Sequence, residues 1–378
     1  MIRKIRIQQF FLFGSGLSGL GVEMKNKIHS ATLMLFLLLL SNAYITSCQL
    51  VAREPSRNNG TTAGIKKELS ARLPTAKTPD NFMVAFIGDQ GPKANALAVL
   101  ELIKNEGTNA VVHSGDFDYE GNPAAWEAQI SHILGADFPY FASAGNHDEK
   151  GFYISGGYQD LMEARMNRLG ITWDGDLGVK SSFVFNGLFF VLTAPGVFGS
   201  GHAEYIRDWL AEDNSIWRIS SWHKNMRRMQ VGGKSNDTGW EVYEESRKGG
   251  AIIATAHEHS YSRTHLLSNC RNQTVASTSD TLALFADRPE TLEDEGRTFV
   301  FVSGLGGKSI RDQELDGDWW ASIYTSNQGA NYGALFGIFN YEGKEGLAKF
   351  YFKSINGIVP DEFYVKVDVI KLQDWSTR

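Results

Sequence analysis

The run Phe82-Met83-Val84-Ala85-Phe86-Ile87 is short, nearly continuous in apolar character, and stops at Gly88-Asp89-Gln90-Gly91. A run of this length bounded by glycine reads as a buried strand. Leu97, Leu100 and Ile103 then recur at helical spacing within 94–104, and Gly107 supplies the stop. Outward from there the pattern repeats, with a strand over 109–113, a helix over 123–133 and a strand over 139–143. Strands alternating with helices argue for parallel βαβ units. Further on, 182–193 reads as a hairpin turning at Asn186-Gly187, followed by a helix over 204–212. Strands over 216–221 and 251–255 flank a helix over 240–247, and the last third holds strands over 298–303, 332–340, 347–354 and 363–369. The expectation is one layered α/β domain over 81–378 with two sheets packed face to face.

Four polar clusters each fall just after an expected strand: Gly88–Gly91, Gly115-Asp116-Phe117-Asp118-Tyr119, Gly145-Asn146-His147-Asp148 and Ala256-His257-Glu258-His259. A fifth, Trp222-His223, follows the strand over 216–221. In open α/β sheets ligands bind outside the carboxyl ends of strands, so these clusters should meet on one rim. Asp, Asn, Tyr and His are hard or borderline metal ligands. Two cations about 3.5 to 4 Å apart can clamp the attacking and the leaving oxygen of a phosphoryl group. A shared carboxylate offsets their repulsion, and neutral imidazoles complete the shells without overcharging the pocket.

In their order and spacing these clusters resemble the calcineurin-like metallophosphoesterases, and specifically the purple acid phosphatase branch. Gly91 stands where most of the superfamily has histidine, and Tyr119 lies three residues after Asp116, as in the purple branch. The resemblance spans about 82–265 and implies a four-layer α/β/β/α double β-sheet sandwich flanked by helices. It implies a first metal held by Asp89, Asp116, Tyr119 and His259, and a second held by Asp116, Asn146, His223 and His257. The metals implied are Fe(III) at the first site, with Fe(II), Zn(II) or Mn(II) at the second. Asn146 and His147 would contact the substrate, His147 also aiding the leaving group. The implied reaction is attack of a metal-bound hydroxide on a phosphate monoester. A phosphodiesterase or nucleotidase with the same metals, and a non-catalytic exported phosphate-binding lipoprotein, stay open as alternatives.

The pattern departs from the family in two places. No histidine lies between His223 and His257, where the family often carries further histidines that hold phosphate. Lys224, Arg227 and Arg228 stand there instead, either supplying charge to a phosphate or facing solvent. Ala256 replaces the usual glycine before His257. Gly304-Leu305-Gly306-Gly307-Lys308-Ser309 has the look of a phosphate loop, but the first glycine that motif needs falls at Val302. It reads as a turn near the site's rim. His113, inside a strand, reads as a satisfied core histidine, and the specificity loops are expected within 149–181 and 265–297.

The N-terminal part reads as an address. Lys25 and Lys27 precede an apolar run over 33–40, and Ile45-Thr46-Ser47-Cys48 follows, so 1–47 is expected to be a signal peptide, with translation starting at Met1 or Met24. The end of this segment resembles a bacterial lipobox that would lipidate Cys48; the plainer reading is ordinary cleavage nearby. The polar stretch 48–80 suits a tether. The chain would then be an exported lipoprotein facing periplasm or cell exterior, touching membrane only through that anchor, or secreted outright.

The formal charge of the 378-residue chain is −6. Losing 1–47 removes more basic than acidic groups, and no basic tract remains, so no nucleic-acid-binding surface is expected. The two cysteines exclude a disulfide scaffold and a thiolate zinc site. Besides the membrane met through that anchor, the partner the sequence points to is the phosphoester substrate.

Overall fold

Strand β1 (Phe82–Ile87) carries apolar residues without alternation because it is buried along nearly its whole length. The computed structural model describes residues 77–287 and 294–367. The signal expected over 1–47, Cys48 and nearly all of the stretch 48–80 lie outside those residues. β1 pairs in parallel with β2 (Ala110–His113), and β2 with β3 (Tyr140–Ala142). The crossovers are the helices Ala94–Asn105 and Pro123–Ile133. The second starts where the sequence says it should. Asn122 accepts a hydrogen bond from the Ala125 N–H at 3.1 Å, and Pro123 takes the first helical position, where no N–H is needed.

The second half opens with β4 (Asp174–Asp176), β5 (Lys180–Phe185) and β6 (Leu188–Thr193). The β5–β6 hairpin turns at Asn186 and Gly187, whose φ values of 47° and 77° suit the tight turn that matches strand twist. β7 (Trp217–Ser221) and β8 (Ile252–Thr255) follow in parallel with β6, connected through the helices His202–Glu212 and Glu241–Lys248. The remaining strands are β9 (Tyr261–Thr264), β10 (Leu266–Asn269), β11 (Thr274–Ser277), β12 (Thr281–Leu284), β13 (Val300–Ser303), β14 (Trp320–Tyr324), β15 (Gly333–Phe339), β16 (Leu347–Ser354) and β17 (Asp361–Val367).

These strands make a seven-stranded sheet, β12-β17-β16-β15-β1-β2-β3, and an eight-stranded sheet, β14-β9-β13-β8-β7-β6-β5-β4, with β10 and β11 as a separate pair. Strand periodicity sorts the side chains between layers. In β6, Leu188, Phe190 and Leu192 join the cluster that includes Phe86, Phe350 and Phe363 of the other sheet. Phe189 and Val191 turn the other way and pack with Ile206, Trp209 and Tyr243 of the helices. The fold is therefore the expected α/β/β/α sandwich. Its central layer is knit by aromatic pairs such as Phe86–Phe301 at 5.2 Å and Phe141–Phe190 at 5.3 Å between centroids.

The segments expected to be loops contain structure. Within 149–181 lie the helices Glu149–Phe152 and Tyr158–Arg168 and strand β4; within 265–297 lie β10, β11 and β12. The longer helix escapes an apolar count because one of its inward residues is Arg165. Its guanidinium is buried by donating to the carbonyls of Gly135, Ala136 and Phe138 and to Glu127. His113 is only half satisfied: Nδ1 accepts from the Gly115 N–H at 3.1 Å, while its buried Nε2 has no partner. Burial holds its pKa down at about 3, so it is neutral.

One buried polar cluster joins the two sheets. Asp361 of β17 accepts hydrogen bonds from Arg263 Nε at 2.7 Å and Nη2 at 2.9 Å and from Tyr261 Oη at 2.6 Å, both on β9. Arg263 also lies 4.0 Å over the Phe363 ring. Removing one partner of such a pair leaves the other charge buried and uncompensated, which costs about 3–5 kcal/mol. Asp361→Ala is expected to lower the unfolding free energy by that amount in urea titrations. A loss below about 1 kcal/mol, the worth of an exposed pair, would overturn this account of the joint.

Candidate metal centre

Strands β1, β2 and β3 of one sheet and β7 and β8 of the other end at one rim. Asp89, Asp116 and Asn146 follow β1, β2 and β3 of one sheet, while His223 and His257 follow β7 and β8 of the other. His259 lies just ahead of β9, and Tyr119 lies three residues beyond Asp116. All seven expected ligands are thus carried to the same end of the sandwich, but their backbones get there unusually. Asp89, Asp116, Tyr119 and His257 have φ of 56°, 61°, 61° and 70°, in the left-handed region that non-glycine residues seldom adopt. Each such residue costs of order 1–3 kcal/mol and persists only where its surroundings over-determine it.

Those surroundings are visible. The Asp89 N–H donates to the Gly115 carbonyl at 3.0 Å and the Gln90 N–H to the Asp116 carbonyl at 3.1 Å, so the first two motifs are zipped together. Asp148 ties the second to the third: its carboxylate accepts from the N–H groups of Asp116 (2.9 Å), Phe117 (2.8 Å) and Gly145 (2.6 Å). The His257 N–H donates to Asp89 Oδ2 at 2.8 Å, closing the gap between the sheets. Ala256 is accommodated for a simple reason. A Cβ on Gly88 would fall 2.3 Å from the Ala256 methyl, so the glycine of the first motif makes the room that the usual glycine of the last would not need.

The side chains form two adjoining groups. In the first, Tyr119 Oη donates to Asp89 Oδ1 at 2.7 Å and lies 3.1 Å from His259 Nε2, which is itself 3.2 Å from Asp89 Oδ1. In the second, Asp116, His223 and His257 offer ligand atoms all within 4.8 Å of one another. His223 Nε2 is 3.2 Å from Asp116 Oδ1 and 3.0 Å from His257 Nδ1. The rings are oriented from behind. His223 Nδ1 donates to the Ser114 carbonyl at 2.7 Å, and His259 Nδ1 meets Ser309 Oγ at 2.5 Å, so both present Nε2 to the centre. His147 is half exposed; its N–H donates to Asp116 Oδ1 at 2.9 Å, and its ring rests 4.5 Å from that of Tyr119.

The electrostatics are those of a site built for cations. Burial opposes the charge on Asp89 and Asp116, but the imidazoles of His259 and His223 outweigh it and hold both carboxyls below the usual range. Burial and the same two carboxylates push the Tyr119 phenol far above its ordinary value. Burial, then His223, forces His257 down to about 2, leaving it a neutral donor. The oxygen Asn146 Oδ1 is buried with no hydrogen-bond partner, and a cation among these donors would satisfy it. On these grounds the residues fit a metal centre.

Several contributors were not legible beforehand. Ser114 and Ser309 orient ligands without belonging to any ligand position, and Asp148 was visible only as the last residue of its motif. Of the cations following His223, the two arginines are engaged elsewhere, while Lys234 lies within electrostatic reach of Asp89 and Asp116. Arg228 is exposed and lies 4.8 Å over the Trp319 ring, while Arg227 is exposed and hydrogen-bonds the Gly233 carbonyl at 3.4 Å. Trp222 is fully buried core.

Residues 82–261 match the family model of the calcineurin-like phosphoesterases. The fold is similar to that of purple acid phosphatase PPD1 from yellow lupin (Lupinus luteus) seeds, with a TM-score of 0.56 at 16% identity. That match covers 77% of this chain and 55% of the other, so the chain spans about half the length of that structure. A weaker likeness, TM-score 0.48 at 12% identity, is to GAP50, the anchor in the inner membrane complex of Plasmodium, over 78% of this chain and 93% of that one. No curated protein matches the chain by sequence.

Metal entry should be linked to pH. Burial disfavours the charged form of His223, but Asp116 and then Asp89 outweigh it and raise its pKa to about 9 in the metal-free protein. His223 is therefore protonated at neutral pH and must lose that proton to become a ligand. Affinity for Zn(II) is expected to rise with pH, by up to about tenfold per unit, and to level off near the pKa of about 9. Calorimetry in buffers of different ionisation enthalpy should count at least about one proton released per site filled at neutral pH. No release would remove His223 from the ligand set.

Proposed function

From the calcineurin-like phosphoesterase domain that its residues 82–261 form, we propose that this chain hydrolyses phosphate monoesters with a pair of metal ions. The observation that carries the reading is the convergence of two acidic-imidazole groups around Asp89 and Asp116, with the orphaned Asn146 Oδ1 between motifs that are held in strained backbone. Asp89, Asp116, Tyr119 and His259 would hold one ion, and Asp116, Asn146, His223 and His257 the other, with Asp116 shared. Fe(III) at the tyrosine-containing position, beside Fe(II), Zn(II) or Mn(II), is the pair that the resemblance to the purple acid phosphatases implies. When bound, the ions supply Lewis acidity that activates water and offsets phosphate charge.

The protein's own part is positioning and proton traffic. Asp148 and the paired loops hold Asp116 in place before any substrate arrives, so no reorganisation is required at the moment of reaction. His147 stands at the open side of the site with its backbone tied to Asp116 and its imidazole half exposed, Nε2 lying 4.0 Å from Asp116 Oδ2. It can donate one hydrogen bond to a phosphate oxygen and pass a proton to the departing alkoxide or phenoxide. With no second histidine beside it, the chain should favour esters whose leaving groups need little help, and a diester reading follows if that acid is not used. The reading extends to an exported protein, anchored through Cys48.

Paired assays on p-nitrophenyl phosphate and its bis-ester test this. Faster cleavage of the monoester is expected, falling at least about 100-fold in Asn146→Ala. His147→Ala should lose roughly 10²–10⁴ in kcat while keeping its metal. Iron-loaded protein should absorb in the visible and Tyr119→Phe should not. Preference for the bis-ester would move the assignment to diesters, and metal without turnover on either would leave a binding protein.

A further inference from the structure

The loop Gly304–Ser309, glycine-rich but wrongly spaced for a phosphate loop, lies against the metal centre. The Gly304 N–H donates to the Ser260 carbonyl, the Gly306 N–H to that of Gly88 and the Lys308 N–H to that of Asp89, each at 3.0 Å. The glycines serve this close approach: a Cβ on Gly304 would fall 2.1 Å from the Glu258 carbonyl oxygen and 2.8 Å from Asp89 Oδ2. With the backbone pinned at Asp89 and Ser309 held on His259, the side chain between them has little choice of direction. The Lys308 ammonium lies 4.0 Å from the centroid of the Tyr119 ring. Tyr119 is also the ring on which His147 rests, at 4.5 Å. One aromatic platform thus carries two groups of the kind that bind phosphate, at the edge of the centre.

Lys308 is only partly buried and has no carboxylate partner among the described residues. The contact with an aromatic face is worth little where water still reaches the ammonium, about 0.5–1 kcal/mol. It holds the cation in place without neutralising it. A lysine kept uncompensated beside a centre that would receive a phosphate dianion has an evident counter-ion. The histidines that could have filled this role are missing after His223, and Arg227 and Arg228 turn elsewhere. Lys234 is within electrostatic reach of Asp89 and Asp116, but Lys308 is the cation seated on the Tyr119 ring beside His147.

We infer that Lys308 is the substrate-binding cation of this site, gripping a non-bridging phosphate oxygen opposite His147. The inference rests on the phosphoester reading and names the residue that gives it affinity. The test uses the full chain loaded with metal, and inorganic phosphate as the probe. Phosphate binding is measured by calorimetry, and by competition against p-nitrophenyl phosphate. Lys308→Gln should weaken phosphate binding about 10- to 100-fold and raise KM by a similar factor, with smaller change in kcat and with metal content and melting temperature retained. Lys308→Arg, which keeps the charge, should recover most of the affinity, and Arg228→Gln should match the native chain. Turnover by Lys308→Gln with native phosphate affinity would overturn the inference and leave the phosphoester reading standing. So would loss of metal at unchanged phosphate affinity per loaded site, which would make Lys308 a support for Tyr119 only. A native chain that neither binds phosphate nor cleaves any ester would overturn both.

Discussion

Two buried carboxylates, Asp89 and Asp116, sit at the ends of neighbouring parallel strands, and the rest of the site is arranged around their charge. Taking anions out of water is costly unless cations or directed N–H groups meet them. Here the His257 N–H reaches Asp89, the His147 N–H reaches Asp116, and imidazoles face both. In the metal-free protein those imidazoles and the Tyr119 hydroxyl provide the compensation. His223 holds a proton for that reason, and that is the proton a metal must displace. The acidic pair therefore links the fold to the protonation of the imidazoles around it.

The same pair explains where strain is stored. Asp89, Asp116, Tyr119 and His257 sit in left-handed backbone, a conformation that only a few per cent of non-glycine residues adopt. They are held there by contacts between loops: Gly115 with Asp89, Asp116 with Gln90, and Asp148 with the N–H groups of Asp116 and Phe117 in the second motif and of Gly145 in its own. Asp148 contributes no ligand atom in this arrangement, yet its carboxylate is the point at which the second and third motifs become one surface. The sandwich supplies the rigid floor, with aromatic pairs between the sheets and the Arg263–Asp361 joint across them. A site that needs strained turns needs such a floor.

Charge around the rim is organised differently from what residue order suggests. The basic residues after His223 are near the site in sequence, but the arginines pack outward: Arg228 covers Trp319 and Arg227 serves its own loop. Lys308, far along the chain, is carried to the Tyr119 ring by a loop whose glycines let it press against Gly88 and Asp89, and Lys234 acts on the same two carboxylates, Asp89 and Asp116. Arg165 shows the same principle in the core, a charged residue buried because carbonyls and Glu127 from elsewhere surround its guanidinium.

The sequence by itself determined the two-sheet α/β class, the order of the main strands and helices and the polar clusters that meet at one rim. Apolar runs, helical spacing and the polar clusters after strands are local signals, set by backbone geometry that a few residues control. The hairpin at Asn186-Gly187 and the helix start at Asn122-Pro123 were legible for the same reason. Tertiary structure alone decided which groups hold the clustered side chains from behind, through Ser114, Ser309 and Asp148, and that Lys308 lies over the Tyr119 ring. It also decided that Tyr158–Arg168 is a helix despite its polar composition. These outcomes depend on contacts between residues tens to hundreds of positions apart. Direction and burial of a side chain there follow from packing, which no local pattern encodes.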